Sequence, residues 1–434
     1  MSTVSYVVKN QLCTGCGTCK SVCPTSAIDM RISSDKSIYE PLINESKCIK
    51  CKICYNVCPG HSINFFEMNQ EFFLQQPSEP WIGNFLGCYL GHSNVRQIRY
   101  NSTSGGIVTQ LLVYLLENDL IDGALVTRMN NNNPLKPEPF IARTKREIIK
   151  SATSKYCPVP VNIGLKQLLI DEGKFAVVGL PCHIHGIRKA EKIFNDLKNK
   201  IYLHIGLFCS HMVNLNGTKF ILKKNRINIS KIKSLYYRGR GWPGSMTINM
   251  KDGSKKIIPY VKKWNSYWPV FSSYFFTPMR CMMCSDITAE MADISVGDAW
   301  LPELKNDKIG KSIIVTRNKI SDNLLNKMLD EGILYIKEIH QNDIARSQDL
   351  NVKFKKVDLG NRLSFLESNY KKIPYYYPPP KNYNSFIQKL RNIFIINNVQ
   401  LSTKNIFMNY FVNIPFPIFR FYSGINKILY ELDK

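Results

Sequence analysis

The spacing of apolar and polar positions divides the chain into stretches of different period. In NSTSGGIVTQLLVYLLENDLIDGALVTRM, Ile107, Leu111 and Leu115, with Val108, Leu112 and Leu116, recur at helical spacing, and IDGALVTR then reads as a short strand. Phe175 to Gly179 is an apolar run of strand length. Ile184, Ile187, Ala190 and Phe194 follow as a helical stripe, and Ile201 to Phe208 as the next strand. A strand, a crossover helix and a second strand imply a parallel pair, with ligands collecting beyond the carboxyl ends. The pattern therefore predicts an α/β (α+β) core with a partly parallel sheet, over 85–170 and 171–345.

The flanks read differently. Residues 1–65 are too few to bury much apolar surface. FFEMNQEFFLQQPSEPW, polar and proline-bearing, makes 66–84 a linker. KKIPYYYPPPKNY marks 346–384 as a proline-rich connection. The tail, 385–434, is apolar and basic at once, interrupted by Pro415, Pro417 and Arg420. It is expected to dock as a small helical hairpin on the core, with a peripheral surface for a partner or for lipid headgroups as the alternative.

No uninterrupted apolar run is long enough to span a bilayer. The N-terminal MSTVSYVVKN lacks a basic start followed by an apolar stretch, so a cytoplasmic protein, or one peripheral at the membrane, is expected and disulfides are disfavoured. The formal net charge of +25 admits nucleic acid, an anionic cofactor, an acidic partner or a membrane surface. Between Lys219 and Arg240 there are eight basic residues and no acidic one. No zinc finger, RNA-binding signature or basic helix accompanies them, so no nucleic acid is expected.

The chemistry lies in the cysteines. CTGCGTCKSVCP, Cys13 to Pro24, is nearly repeated as CIKCKICYNVCP, Cys48 to Pro59. The spacing C-x2-C-x2-C-x3-C-P is that of iron–sulfur ligands, and in two-cluster ferredoxins the fourth cysteine of each run serves the other cluster. One [4Fe-4S] cluster should take Cys13, Cys16, Cys19 and Cys58, and the other Cys48, Cys51, Cys54 and Cys23. Cys182 and Cys209 follow the ends of the two predicted parallel strands, and Cys281 and Cys284 form a further CxxC. These four thiols suffice for a third cluster or for one zinc, unless Cys182 and Cys209 are simply buried. His183, His185 and His211 lie beside them as alternative nitrogen ligands. Cys88 and Cys157 have no partner spacing and read as structural. Ser104, Gly105 and Gly106 open the predicted helix, where bare N–H groups favour an anion, although a plain Ser cap would look the same.

The runs STSGGIVTQLL, IDGALVTRM, SKYCPVP, VVGLPCHIHGIR, YYRGRGWPGSM and RCMMCSDITAEMADISVGDAW, in this order, resemble the family of coenzyme F-420 hydrogenase and dehydrogenase beta subunits over about 85–340, preceded by a dicluster ferredoxin module. The resemblance implies a flavoprotein core that holds FAD beside one [4Fe-4S] cluster on Cys182, Cys209, Cys281 and Cys284, exchanging hydride with a deazaflavin, coenzyme F-420. It implies that 85–170 binds FAD, with Ser104, Gly105, Gly106, Thr109, Lys155 and Tyr156 near it. Arg238 and Arg240, in a glycine-rich loop, are candidates for an anionic substrate tail. No GxGxxG follows a strand, so a Rossmann-type site is not expected. The resemblance thus implies an oxidoreductase with three [4Fe-4S] clusters and FAD, feeding an electron-transfer partner protein or redox subunit. Two other readings stay open: a ferredoxin-linked reductase of the same family acting in glycan biosynthesis, and a non-enzymatic electron-transfer subunit.

Overall fold

The computed structural model describes residues 3–432 apart from 262, 264, 370, 383 and 384, with backbone only at 405 and 406. Its centre is a mixed sheet of eight strands among the described residues, in the order Leu334–Glu338, Gly87–Ser93, Ser312–Thr316, Ile294–Asp298, Ile201–Leu207, Phe175–Gly179, Gly123–Met129 and Pro137–Ala142. The four strands Gly123–Met129, Phe175–Gly179, Ile201–Leu207 and Ile294–Asp298 run parallel, and the outer pairings are antiparallel. Parallel strands covered on both faces read as continuous apolar runs, as FAVVG does here, where Phe175, Ala176 and Val177 are fully buried.

Two predicted helices cover this sheet. Ile107–Glu117 starts at Gly106, whose φ of +80° is the left-handed conformation that glycine adopts without strain. Pro181–Glu191 carries Pro at its first position, where the missing N–H costs nothing. A three-stranded antiparallel sheet, Ile232–Tyr236, Ser245–Met250 and Lys255–Pro259, sits on an aromatic core of its own.

Residues up to 64 form a small module: the helix Val4–Lys9, an antiparallel pair Ile28–Ile32 and Tyr39–Ile43, and two cysteine-bearing turns. Its last strand, Ser62–Asn64, pairs in parallel with Tyr375–Tyr377. Three flanking expectations meet the structure here, and two need correction. The expected linker 66–84 opens with a helix, Phe65–Phe73, because Asn64 caps it through Glu67 N and Phe65 and Met68 bury one face. The connection 346–384 is largely helical, and Arg362, fully buried within it, donates to Met282 O at 2.6 Å and to Phe354 O at 2.7 Å. The tail docks as expected, with Phe386–Ser402 and Phe416–Glu431 packed on the core, Phe407 buried among Phe220, Phe275 and Phe276, and Arg391 paired with fully buried Asp358. Among the described residues, no helix is long and apolar enough to cross a membrane.

Candidate redox site

All fourteen cysteines are free thiols. In the module, Cys13, Cys16, Cys19 and Cys58 line one small cavity together with Val4, Val7 and Met30. Burial and the neighbouring Cys16 push the Cys58 thiol up to about 11, and burial raises Cys13 and Cys19 well above the ordinary range. Backbone N–H groups point at the sulfurs: Gly15 N to Cys13 at 3.4 Å, Gly60 N to Cys58 at 3.3 Å and Ala27 N to Cys23 at 3.2 Å. Cys54 is raised by burial and feels Cys51 and Cys23 as its thiol neighbours, so the fourth cysteine of each run lies with the other run. Cys51 is exposed, on a loop with exposed Lys47, Ile49, Lys50 and Lys52.

In the core, Gly179 and Gly206 are paired on adjacent parallel strands, and Cys182 and Cys209 each follow three residues later. Cys281 belongs to the short helix Met279–Met282 and Cys284 follows it. The four thiols act on one another electrostatically, burial pushing Cys209 up to about 12 and Cys182 well up. Among the described residues, no three His, Cys, Asp or Glu groups close on the point that a single bare ion would occupy. The donor set is soft and fourfold, which suits a cubane whose corners stand apart.

The histidines face other partners. His183 accepts from Leu180 N through Nδ1, at 3.1 Å, His185 Nε2 stands 2.8 Å from Asp286, and His211 leans on Tyr274. Burial raises Asp286, but His185 outweighs it and holds the carboxyl down to about 2. Sequence reasoning missed Lys355, a buried lysine whose Nζ lies 3.4 Å from Cys284 Sγ and donates to Asp286 O. It comes from a helical turn beyond the expected core, so no cysteine spacing could point to it.

The module's first cysteine run packs against Pro181–Glu191, the core helix that bears Cys182: a Cβ on Gly186 would stand 2.3 Å from Thr18 Oγ1. Asn162, also missed, holds them together: its Nδ2 donates to Thr18 Oγ1 and His183 O, both at 2.8 Å, and its N donates to Cys16 O at 2.9 Å. Lys189 donates to Cys58 O at 2.9 Å and Arg280 to Gly60 O at 2.8 Å. Behind them lies a buried charge group. Arg188 binds Asp293 at 2.7 Å and Glu191 at 3.1 Å, and His204 bridges Glu191 at 2.7 Å and Asp293 at 2.9 Å. Burial and Arg188 lower His204, yet the two carboxylates raise it overall, while Asp293 and Glu191 are held down despite their burial.

The other candidates gather near the same end of the sheet. Ser104 donates to Lys311 O, Gly105 N to Ser312 Oγ at 2.9 Å, and Ser154 N to Thr103 Oγ1 at 2.8 Å. A Cβ on Gly105 would stand 2.5 Å from Gly91 O, so this turn requires glycine. Thr109 is buried in the following helix. Lys155 donates to Ser151, Ala152 and Thr153 carbonyls, and burial lowers it to about 7. Arg238 is buried, ion-paired with Asp298, bonded to Tyr156 Oη at 3.0 Å and flanked by Trp242, Tyr260 and Trp300, with Nη2 unpartnered. Arg240 instead lines an open groove with Trp242, Pro243, Ser245, Ile257 and Lys263. Cys88 and Cys157 are buried away from the thiol groups.

A mixed α/β core carrying one thiol quartet, joined to a two-run cysteine module, defines an iron–sulfur oxidoreductase. Family models described as coenzyme F420 hydrogenase/dehydrogenase, beta subunit N-term and C terminus match 88–166 and 172–342, more than half of the chain, and a 4Fe-4S dicluster domain matches 12–62. The chain belongs to the family of coenzyme F420 hydrogenase/dehydrogenase beta subunits, with an N-terminal 4Fe-4S dicluster domain. The coenzyme F420 hydrogenase subunit beta of Methanothermobacter thermautotrophicus is 29% identical over 268 residues, 60% of this chain and 87% of that protein. The coenzyme F420 hydrogenase subunit beta of Methanosarcina barkeri is 25% identical over 270 residues, 61% and 85% respectively. A chain of the solved F420-reducing [NiFe] hydrogenase complex from Methanosarcina barkeri shares the fold, with a TM-score of 0.53 at 23% identity over 66% of this chain and 95% of that one.

Proposed function

We propose that this protein exchanges hydride between a reduced deazaflavin, coenzyme F420, and FAD, and passes single electrons through three [4Fe-4S] clusters to a redox partner. When bound, FAD takes electrons as a pair and the clusters carry them singly, which is the conversion that such a chain of cofactors requires. The observation that carries the reading is the packing of the module's first cysteine run against the helix that bears Cys182, tied through Asn162 to Thr18 Oγ1, His183 O and Cys16 O. Cys182, Cys209, Cys281 and Cys284 would hold the core cluster, Cys13, Cys16, Cys19 and Cys58 the next, and Cys48, Cys51, Cys54 and Cys23 the outermost, where exposed Cys51 makes the exit.

The donor chemistry fits flavin as well. The start of the helix Ile107–Glu117, which no side chain caps, suits its phosphates, and the groove that Arg240, Lys263 and Trp242 line suits a ring system with an anionic tail. Arg238, tied to Asp298 and Tyr156, would position Tyr156 and Trp242 rather than grip the tail. Protein purified without oxygen is expected to contain about twelve iron atoms and one FAD, and to bleach on addition of the reduced deazaflavin. Flavin-free protein, or loaded protein that keeps its colour, refutes the reading.

A further inference from the structure

The two long tail helices bury polar side chains beside Ile395, Ile396, Val399, Phe419 and Tyr430, and leave large apolar side chains outside. Phe416–Glu431 directs Ser423 and Asn426 inward, where Asn426 donates to Ser272 O at 3.1 Å, and Phe386–Ser402 buries Gln388, Asn392 and Asn398. Large apolar side chains stand on the outward faces: Phe421 is 76% exposed, Leu432 65%, Ile418 59% and Ile428 50%, with Phe386 at 71% on the neighbouring helix. Ile418, Phe421, Ile425, Ile428 and Leu432 recur every three or four residues, a continuous stripe one helix face wide. Its exposed neighbours are Arg420 and Lys427, with Glu431 lying 3.6 Å from Lys427, and Lys389 on the companion helix.

Such a face in water is unfavourable unless something covers it. The stripe spans only two heptads, short of the three or four that a coiled coil needs. A second copy would also bring a second formal charge of +25 against the first, whereas an anionic surface complements it. No helix among the described residues can span a bilayer, so the face would lie on it. We propose that the outward faces of Phe386–Ser402 and Phe416–Glu431 form a docking surface for an anionic lipid membrane, Phe421, Ile418 and Ile428 entering the acyl boundary while Arg420, Lys427 and Lys389 meet the headgroups.

The test is sedimentation of the full-length, cofactor-loaded protein with vesicles of phosphatidylcholine alone or with 30% phosphatidylglycerol. Binding to the anionic vesicles, weakening as salt rises, is expected. F421E/I428E should abolish it, and R420Q/K427Q should weaken it on the order of ten-fold, with iron content and visible spectrum unchanged in both. Two results overturn the proposal: no binding to anionic vesicles at low salt, or unimpaired binding by F421E/I428E. Concentration-dependent self-association that F421E/I428E removes, without vesicle binding, also overturns it and gives the face to a second copy.

Discussion

Truncating Asn162 to alanine tests whether the module and the core are held as one electrical unit. The side chain is fully buried, and its Nδ2 donates to Thr18 Oγ1 on the module and to His183 O on the core, each at 2.8 Å. Two lost hydrogen bonds at about 1 kcal/mol each, with the buried Thr18 hydroxyl left short of a donor, give a destabilisation of about 2–3 kcal/mol. The backbone bond from Asn162 N to Cys16 O survives, so the module loosens rather than detaches. At 1.4 kcal/mol per decade this raises the open population by between roughly thirty-fold and roughly 140-fold. The assay uses two colours. All five tryptophans, Trp81, Trp242, Trp264, Trp268 and Trp300, lie outside the module, so their fluorescence reports the core, while visible absorption reports the clusters. In anaerobic urea titrations the cluster transition should move to lower urea by about 1 M at an m-value of about 2–3 kcal/mol/M, and the tryptophan transition by less. Equal displacement of both transitions, or no displacement, would refute the reasoning.

Four further outcomes are expected. Cys182→Ser should lower the iron content by about four atoms per chain, measured against protein, and unchanged iron would remove Cys182 from the core cluster. Lys355→Met should shift one cluster potential negative in an EPR-monitored titration, because a buried positive charge beside Cys284 favours the reduced state, and Lys355→Arg should restore it. The buried group around His204 fixes a pH window: the lowered Asp293 and Glu191 contribute above about pH 4 and lose that contribution as pH falls through their folded values. The raised His204 contributes fully below about pH 6.5 and fades as pH rises through its folded value, so His204→Gln should flatten the alkaline side of the unfolding profile. Charge reversal of Lys47, Lys50 and Lys52 should slow the reduction of ferricyanide several-fold at low ionic strength, and the difference should vanish near 1 M salt if the exit lies at Cys51.

The parallel core was legible because FAVVG and IYLHIGLF are continuous apolar runs on either side of a helical stripe, a signature set by burial on both faces. The spacing of the two cysteine runs likewise announced the module. Residues 346–384 were not legible. Proline and tyrosine dominate the eye there, yet Arg362 and Lys355 are fixed by partners, Met282 O and Cys284, that no local pattern reveals. Asn162 is a lone amide whose role exists only once the module has docked. Arg238 shows another limit: its glycine-rich neighbourhood suggests a ligand, but nothing local reveals its pairing with Asp298, sixty residues away, which still leaves Nη2 without a partner.

The pairing of Tyr375–Tyr377 with Ser62–Asn64 joins the beginning of the polypeptide to its late part. During translation at about 5–20 residues per second, the earlier strand leaves the ribosome roughly 15–60 s before its companion exists. For that interval the outer edge of Ser62–Asn64 stands unpaired. The edge is covered only once the ribosome has read past Tyr377, so a chain terminated before that point keeps an unpaired edge that proteases can recognise.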